Sequence, residues 1–155
     1  MKAMKKALSV LLIAIMLFSI ATVQAEGKGY KAGKVTAQQI VTQLKTTGLI
    51  KRAWKPSSKD LMDSETPNVY KSKYNFTDKD YQSVYCSVEV FSDNYDAARR
   101  QGYFDLLSMF YGTFGIEEDV PLQAYRHKNV LLRVGSQMPL KHVLKYYNAI
   151  KSMIK

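Results

Sequence analysis

The 155-residue sequence predicts an α+β protein: a two-layer sandwich, a mainly antiparallel sheet with helices on one face, in the order α-β-β-β-α-β-β-α. Three observations lead there. Three stretches carry apolar residues at the 3.6-residue spacing of a helix. Others alternate apolar and polar residues at the two-residue spacing of a half-buried strand. Tight linkers join neighbouring strands, and one-striped helices laid on such a sheet bury both sets of apolar faces together.

Thr36 opens the first helix as its cap, Gln39 completes a capping box, and Ala37, Ile40, Val41 and Leu44 fall on one face. Gly48 supplies the stop. Residues 50–55 alternate apolar and basic side chains as a short strand, and 56–67, with Pro, Ser and Asp, read as a loop. In 68–76, Tyr70, Ser72, Tyr74 and Phe76 alternate with Val69, Lys71 and Lys73, a second strand. After the polar turn TDKDYQ comes the third, 83–91, with Val84, Cys86, Val88 and Val90 on one side. Ser92 or Asp93 caps a second helix whose stripe reads Ala98, Gly102, Leu106 and Phe110, widened by Tyr95, Tyr103, Leu107 and Met109, and ending near Gly112 or Gly115. Residues 121–127 and 130–135 form a hairpin across Lys128-Asn129, where Asn tolerates positive φ. Pro139 sits in the first turn of the last helix, striped by Leu140, Val143, Leu144, Tyr147, Ile150 and Ile154.

Lys2, Lys5 and Lys6 precede an uncharged run from Ala7 to Val23, and Val23 and Ala25 are the small residues that signal peptidase needs two apart. The expectation is therefore a signal peptide at 1–25 cleaved before Glu26, a flexible leader at 26–35 (EGKGYKAGKV), and a single domain at 36–155, secreted or periplasmic. Uncleaved, the uncharged stretch from Ala7 to Ala25 is long enough to act as an anchor, since a spanning helix needs roughly 17–25 residues. The sole cysteine, Cys86, excludes an intramolecular disulfide and any cysteine-based metal cluster, and its place on the apolar face of a strand reads as core.

Net charge is +10, but it is unevenly placed. Three of those charges belong to the export segment, six to residues 26–60, and one to residues 61–155. The body of the domain is nearly neutral, so the composition does not argue for a nucleic-acid-binding fold.

The segments YKSKYNFTD (70–78), SVEVFSDNYDAARR (87–100) and YRHKNVLLRV (125–134), behind a signal peptide, resemble a group of small exported bacterial proteins of uncharacterised function. Their pattern is a helix, a Ser-Lys-x-Asn-Phe strand, a Glu-Val-Phe strand entering a helix, and an Asn-Val-Leu-Leu-Arg hairpin strand. The likeness spans 36–155. It implies an α+β domain outside the cytoplasm and no reaction. Such proteins often carry a lipobox cysteine where this chain has Glu26, so membrane anchoring is not carried over.

Neither His127 nor His142 has a His, Cys, Asp or Glu at helical or hairpin spacing that completes a ligand set, so no metal and no cofactor are expected. The triplet Glu117-Glu118-Asp119 lacks the alternating oxygen ligands of a calcium loop and reads as a solvated loop. No nucleophile, phosphate-loop or dinucleotide motif is present, and Glu65, Glu89, Asp93 and Asp105 give no reason to select an acid/base pair.

Binding residues are easier to nominate. Lys51, Arg52, Trp54 and Lys55 interleave cations with an aromatic ring after the first helix. Eleven tyrosines suit a half-buried sheet face. On it Tyr74 and Tyr125 supply rings, and Lys73 and Arg133, between apolar neighbours, supply charged anchors. The reading is an exported, non-enzymatic binding module for a protein or an anionic envelope polymer, with nucleic acid disfavoured and membrane contact only through an uncleaved signal. The alternative is a small extracytoplasmic hydrolase or ligand-carrying domain, which requires a concave pocket holding several titratable groups.

Overall fold

In the computed structural model, residues 35–46, 48–57, 70–114 and 123–154 are described. The expected signal peptide, nearly all of the expected leader, most of the expected 56–67 loop and the Glu117-Glu118-Asp119 triplet lie outside the described residues. Among those described, no helix is long and apolar enough to cross a membrane.

The capping box at Thr36 starts helix α1 (Ala37–Thr46). The Thr36 N–H donates to Gln39 Oε1 at 2.8 Å, and the Gln39 N–H to Thr36 Oγ1 at 3.3 Å. Gly48, at φ 74, ends the turn as only glycine does without strain. Strands β1 (Ile50–Trp54), β2 (Tyr70–Asp78) and β3 (Tyr85–Phe91) follow, then α2 (Asn94–Phe114), β4 (Gln123–His127), β5 (Val130–Val134) and α3 (Leu140–Met153). This is the expected α+β class and order. The five strands form one antiparallel sheet, β1-β2-β3-β5-β4, so the chain runs from β3 through α2 to the edge strand β4 and turns back to place β5 between β4 and β3.

Alternation along β3 and β5 divides the core in two. On one face Cys86, Val88, Val90, Val130, Leu132 and Val134 pack with Ala37, Ile40, Val41 and Leu44 of α1 and Val143, Tyr146 and Ile150 of α3. These two helices make the expected helix-on-sheet layer. The opposite face adds a third element: Phe91, Ala124 and Leu131 pack under Ala97 and Phe104 of α2. In α2 the cluster is centred on Ala97 and Phe104, outside the expected stripe, with Tyr111 and the expected Tyr103 and Leu107 packed against it; Ala98 and Leu106 of the expected stripe are buried as well, whereas Met109 is 61% exposed. Apolar side chains surround this helix, so spacing alone does not select its inner face. In α3, Leu140 and Leu144 are 60% and 45% exposed, while Tyr146 is fully buried.

Two local details depart from the expected pattern. A register shift between Tyr70 and Ser72 turns Tyr70 away from Tyr74 and Phe76 and into the α2 cluster. In the hairpin, Lys128 takes the positive φ (51°), whereas Asn129 is buried and donates from Nδ2 to the Phe91 carbonyl at 3.1 Å. Holding β5 against β3 uses that side chain and leaves the turn conformation to its neighbour.

Gly135, just past β5, lies against Val84. A Cβ at 135 would sit 2.8 Å from Val84 Cγ1, a stiff β-branched buried group. Gly135→Ala is expected to lower stability by about 1–3 kcal/mol, read as a lower urea midpoint at unchanged slope. An unchanged midpoint would show that Val84 yields freely.

Candidate functional site

A groove of about 690 Å³ opens where the N-terminus of α1 meets the first half of β2 and the chain leaving β1. Its existence follows from strand pairing. β1 covers β2 only from Asn75 to Asp78, so residues 70–74 lie beyond the end of β1 and flank the space. The Ser72 hydroxyl accepts the Ala37 N–H at 2.8 Å, pinning the helix start to the strand. Lys55 enters from the end of β1, and Lys71, Lys73, Tyr70 and Tyr74 from β2. The described lining holds three lysines and no acid, beside the positive end of a helix dipole. Lys55 and Lys71 are exposed.

Lys73 connects the groove to a buried charge cluster. It is 5% exposed, and its Nζ lies 3.8 Å from Glu89 Oε1. Glu89, wholly buried on β3, also accepts Arg133 Nη1 at 2.9 Å and Arg100 Nε at 3.1 Å. The Phe104 ring packs against both guanidiniums, 3.7 Å from Arg133 and 4.9 Å from Arg100. One carboxylate thus gathers cations from β2, β5 and α2. Each cation makes at least one further polar, ionic or ring contact.

Of the residues nominated from sequence, the groove unites Lys55, Lys73 and Tyr74. Arg133 is 1% exposed and committed to Glu89, so it does not anchor a partner at the surface. Lys51 is exposed and donates to Gln82 Oε1 at 2.7 Å. Arg52 lies 5.6 Å from the Trp54 ring, which meets Tyr85 edge-on at 5.8 Å, a small aromatic group outside the groove. Tyr125 packs at the margin of the first core, with its hydroxyl 3.3 Å from Gln123 Oε1.

The histidines also have structural partners. His127 Nε2 is 3.1 Å from the Ile154 carbonyl, tying β4 to the end of α3. His142 Nδ1 is 3.2 Å from Asp78 Oδ2, and the Tyr146 hydroxyl reaches the same oxygen at 2.5 Å. Burial works to raise the Asp78 carboxyl, but hydrogen bonds from Tyr146, the Asp80 N–H, His142 and the Tyr81 N–H outweigh it and hold the group below its ordinary range. Burial and the adjacent carboxylate push the Tyr146 phenol well up. Cys86 is wholly buried, and burial followed by the Asp78 charge pushes its thiol up to about 12. A thiol held protonated is a poor nucleophile. Sequence reasoning missed Asp78 as a partner for His142 because the two are 64 residues apart.

Comparison of the chain with protein-family models, with curated proteins and with solved structures gives no match.

Proposed function

We propose that the protein is an exported, non-enzymatic binding module whose groove takes an extended anionic polymer of the cell envelope. The observation that supports this most is the lining itself: exposed Lys55, from the end of β1, and exposed Lys71, from β2, face the space with Tyr70 and Tyr74 and no acid among the described lining residues, while Lys73 below them is buried against Glu89. Exposed lysines attract a polyanion over a Debye length of about 8–10 Å, the helix terminus adds positive potential, and the tyrosine rings offer flat apolar surface to a sugar or chain backbone.

Binding of this kind weakens with salt, because cations that neutralise a polyanion release its counterions. On immobilised heparin as probe, the protein is expected to be retained at about 50 mM salt and to lose most of its affinity by about 200 mM. The double variant Lys55→Glu/Lys71→Glu is expected to bind roughly tenfold more weakly or worse, about 1.4 kcal/mol, with its unfolding midpoint unchanged. Retention that ignores salt, or a variant that binds as well as the parent, would sink this reading. Capture from an envelope extract of one protein partner that survives high salt would replace the polymer with a protein ligand.

A further inference from the structure

The turn between β2 and β3 meets the first turn of α3 at a cluster that the groove does not use. β2 ends on Asp78, which is 1% exposed. Its Oδ1 accepts the backbone N–H of Asp80 at 2.7 Å and of Tyr81 at 3.2 Å, an Asx-type turn that brings the Asp80 carboxylate back beside it. His142 reaches the cluster from α3, its ring held edge-on by Tyr81 at 4.9 Å between centroids. One ligand atom from each of Asp78, Asp80 and His142 lies within 4.8 Å of the other two.

We propose that Asp78, Asp80 and His142 bind a divalent transition metal of the zinc type, which clips the β2–β3 turn to the start of α3. Zinc–ligand bonds of about 2.0–2.2 Å place the ligand atoms of a tetrahedral shell roughly 3.3 Å apart. The 3.2 Å between His142 Nδ1 and Asp78 Oδ2 already has that spacing. Asp80 is exposed, so its side chain is the one that must rotate to bring all three ligand atoms from within 4.8 Å to that spacing. On binding, the imidazole presents the Nδ1 lone pair to the ion and carries its proton on Nε2, and water completes the shell on the solvent side.

The donor set selects the metal. A ring nitrogen with two carboxylates suits zinc, cobalt or nickel, whereas calcium and magnesium prefer oxygen throughout. The surroundings are those of a supported ligand: Tyr146 and two backbone N–H groups hold the Asp78 carboxylate from outside the shell. Only the folded chain assembles the three residues, so the metal stabilises the fold in proportion to the logarithm of its concentration over Kd.

The test uses the whole protein, stripped with a chelator and titrated with Zn²⁺, Co²⁺ and Mg²⁺ by calorimetry, with thermal unfolding followed in parallel. One equivalent of Zn²⁺ is expected to bind and raise the unfolding midpoint. Co²⁺ is expected to give the visible absorption of a low-symmetry four-coordinate site, and Mg²⁺ to leave the midpoint unchanged. His142→Gln and Asp80→Asn are each expected to weaken Zn²⁺ binding at least about tenfold, and Asp80→Asn, at an exposed position, keeps the metal-free midpoint. His127→Gln is expected to bind as the parent does. Absence of Zn²⁺ binding, binding untouched by both Asp80→Asn and His142→Gln, or binding lost through His127→Gln would each overturn the proposal.

Discussion

Replacing Glu89 by Ala is expected to destabilise the domain by about 3–5 kcal/mol, the cost of breaking a buried ion cluster from one side. Glu89 is 0% exposed, and Lys73, Arg100 and Arg133 around it are 5%, 3% and 1% exposed. Removing the carboxylate leaves three cations in a medium that solvates them poorly, with Arg133 and Arg100 also stacked on Phe104 and unable to swing to water without opening the core. Against a total of about 5–15 kcal/mol for a domain, that loss brings the protein near unfolding at physiological temperature. Glu89→Gln keeps the shape and loses the charge, so it is expected to cost nearly as much. Urea denaturation of both variants provides the measurement. A cost below about 1 kcal/mol, the range of an exposed pair, would mean that the cluster is hydrated in solution.

The second large effect is alkaline. The Cys86 thiol rises from 9.0 to about 12 in the folded chain because burial, then the Asp78 charge, disfavours the thiolate. A group whose folded pKa is raised contributes stability that is complete below the unfolded value and lost as pH rises through the folded one. The Cys86 contribution to stability is therefore expected to fall between about pH 9 and pH 12, by about 1.4 kcal/mol per unit and about 4 kcal/mol across the window, on top of the loss from Tyr146 that parent and variant share. Cys86→Ala, less stable at neutral pH for lost packing, is expected to show a correspondingly shallower alkaline decline. Parallel pH profiles of parent and variant would refute the assignment, because the other titrating groups are common to both. The native thiol is also expected to resist alkylation until the protein unfolds.

Much of the fold was legible because the signals are local. The Thr36–Gln39 box, the stop at Gly48, the alternation of Cys86, Val88 and Val90, and the spacing of Val143 and Ile150 depend on residues a few positions apart, whose directions follow from helix and strand geometry. The departures arise where a local signal is ambiguous. The α2 segment is apolar around much of its girth, so its sheet-facing side was settled by what it packs against. Tyr70 reads as continuous with Tyr74 and Phe76 until the bulge at Tyr70/Ser72 reverses it. Arg133 and Lys73 look like surface anchors from their strand neighbours, and only burial under α2 and pairing with Glu89 show otherwise.

Local residue patterns were enough for the α+β class, the order of eight elements, the core position of Cys86 and the basic character of the segment that reaches Lys55. Tertiary structure alone decided which charges meet. Glu89 finds Arg133 across 44 residues because β5, not β4, lies beside β3, and Asp78 finds His142 across 64 because α3 returns over the end of β2. Periodicity tells each side chain which way to face, but electrostatic pairing depends on distance in space. That distance was set only when burial of two apolar faces chose the strand order and the place of each helix.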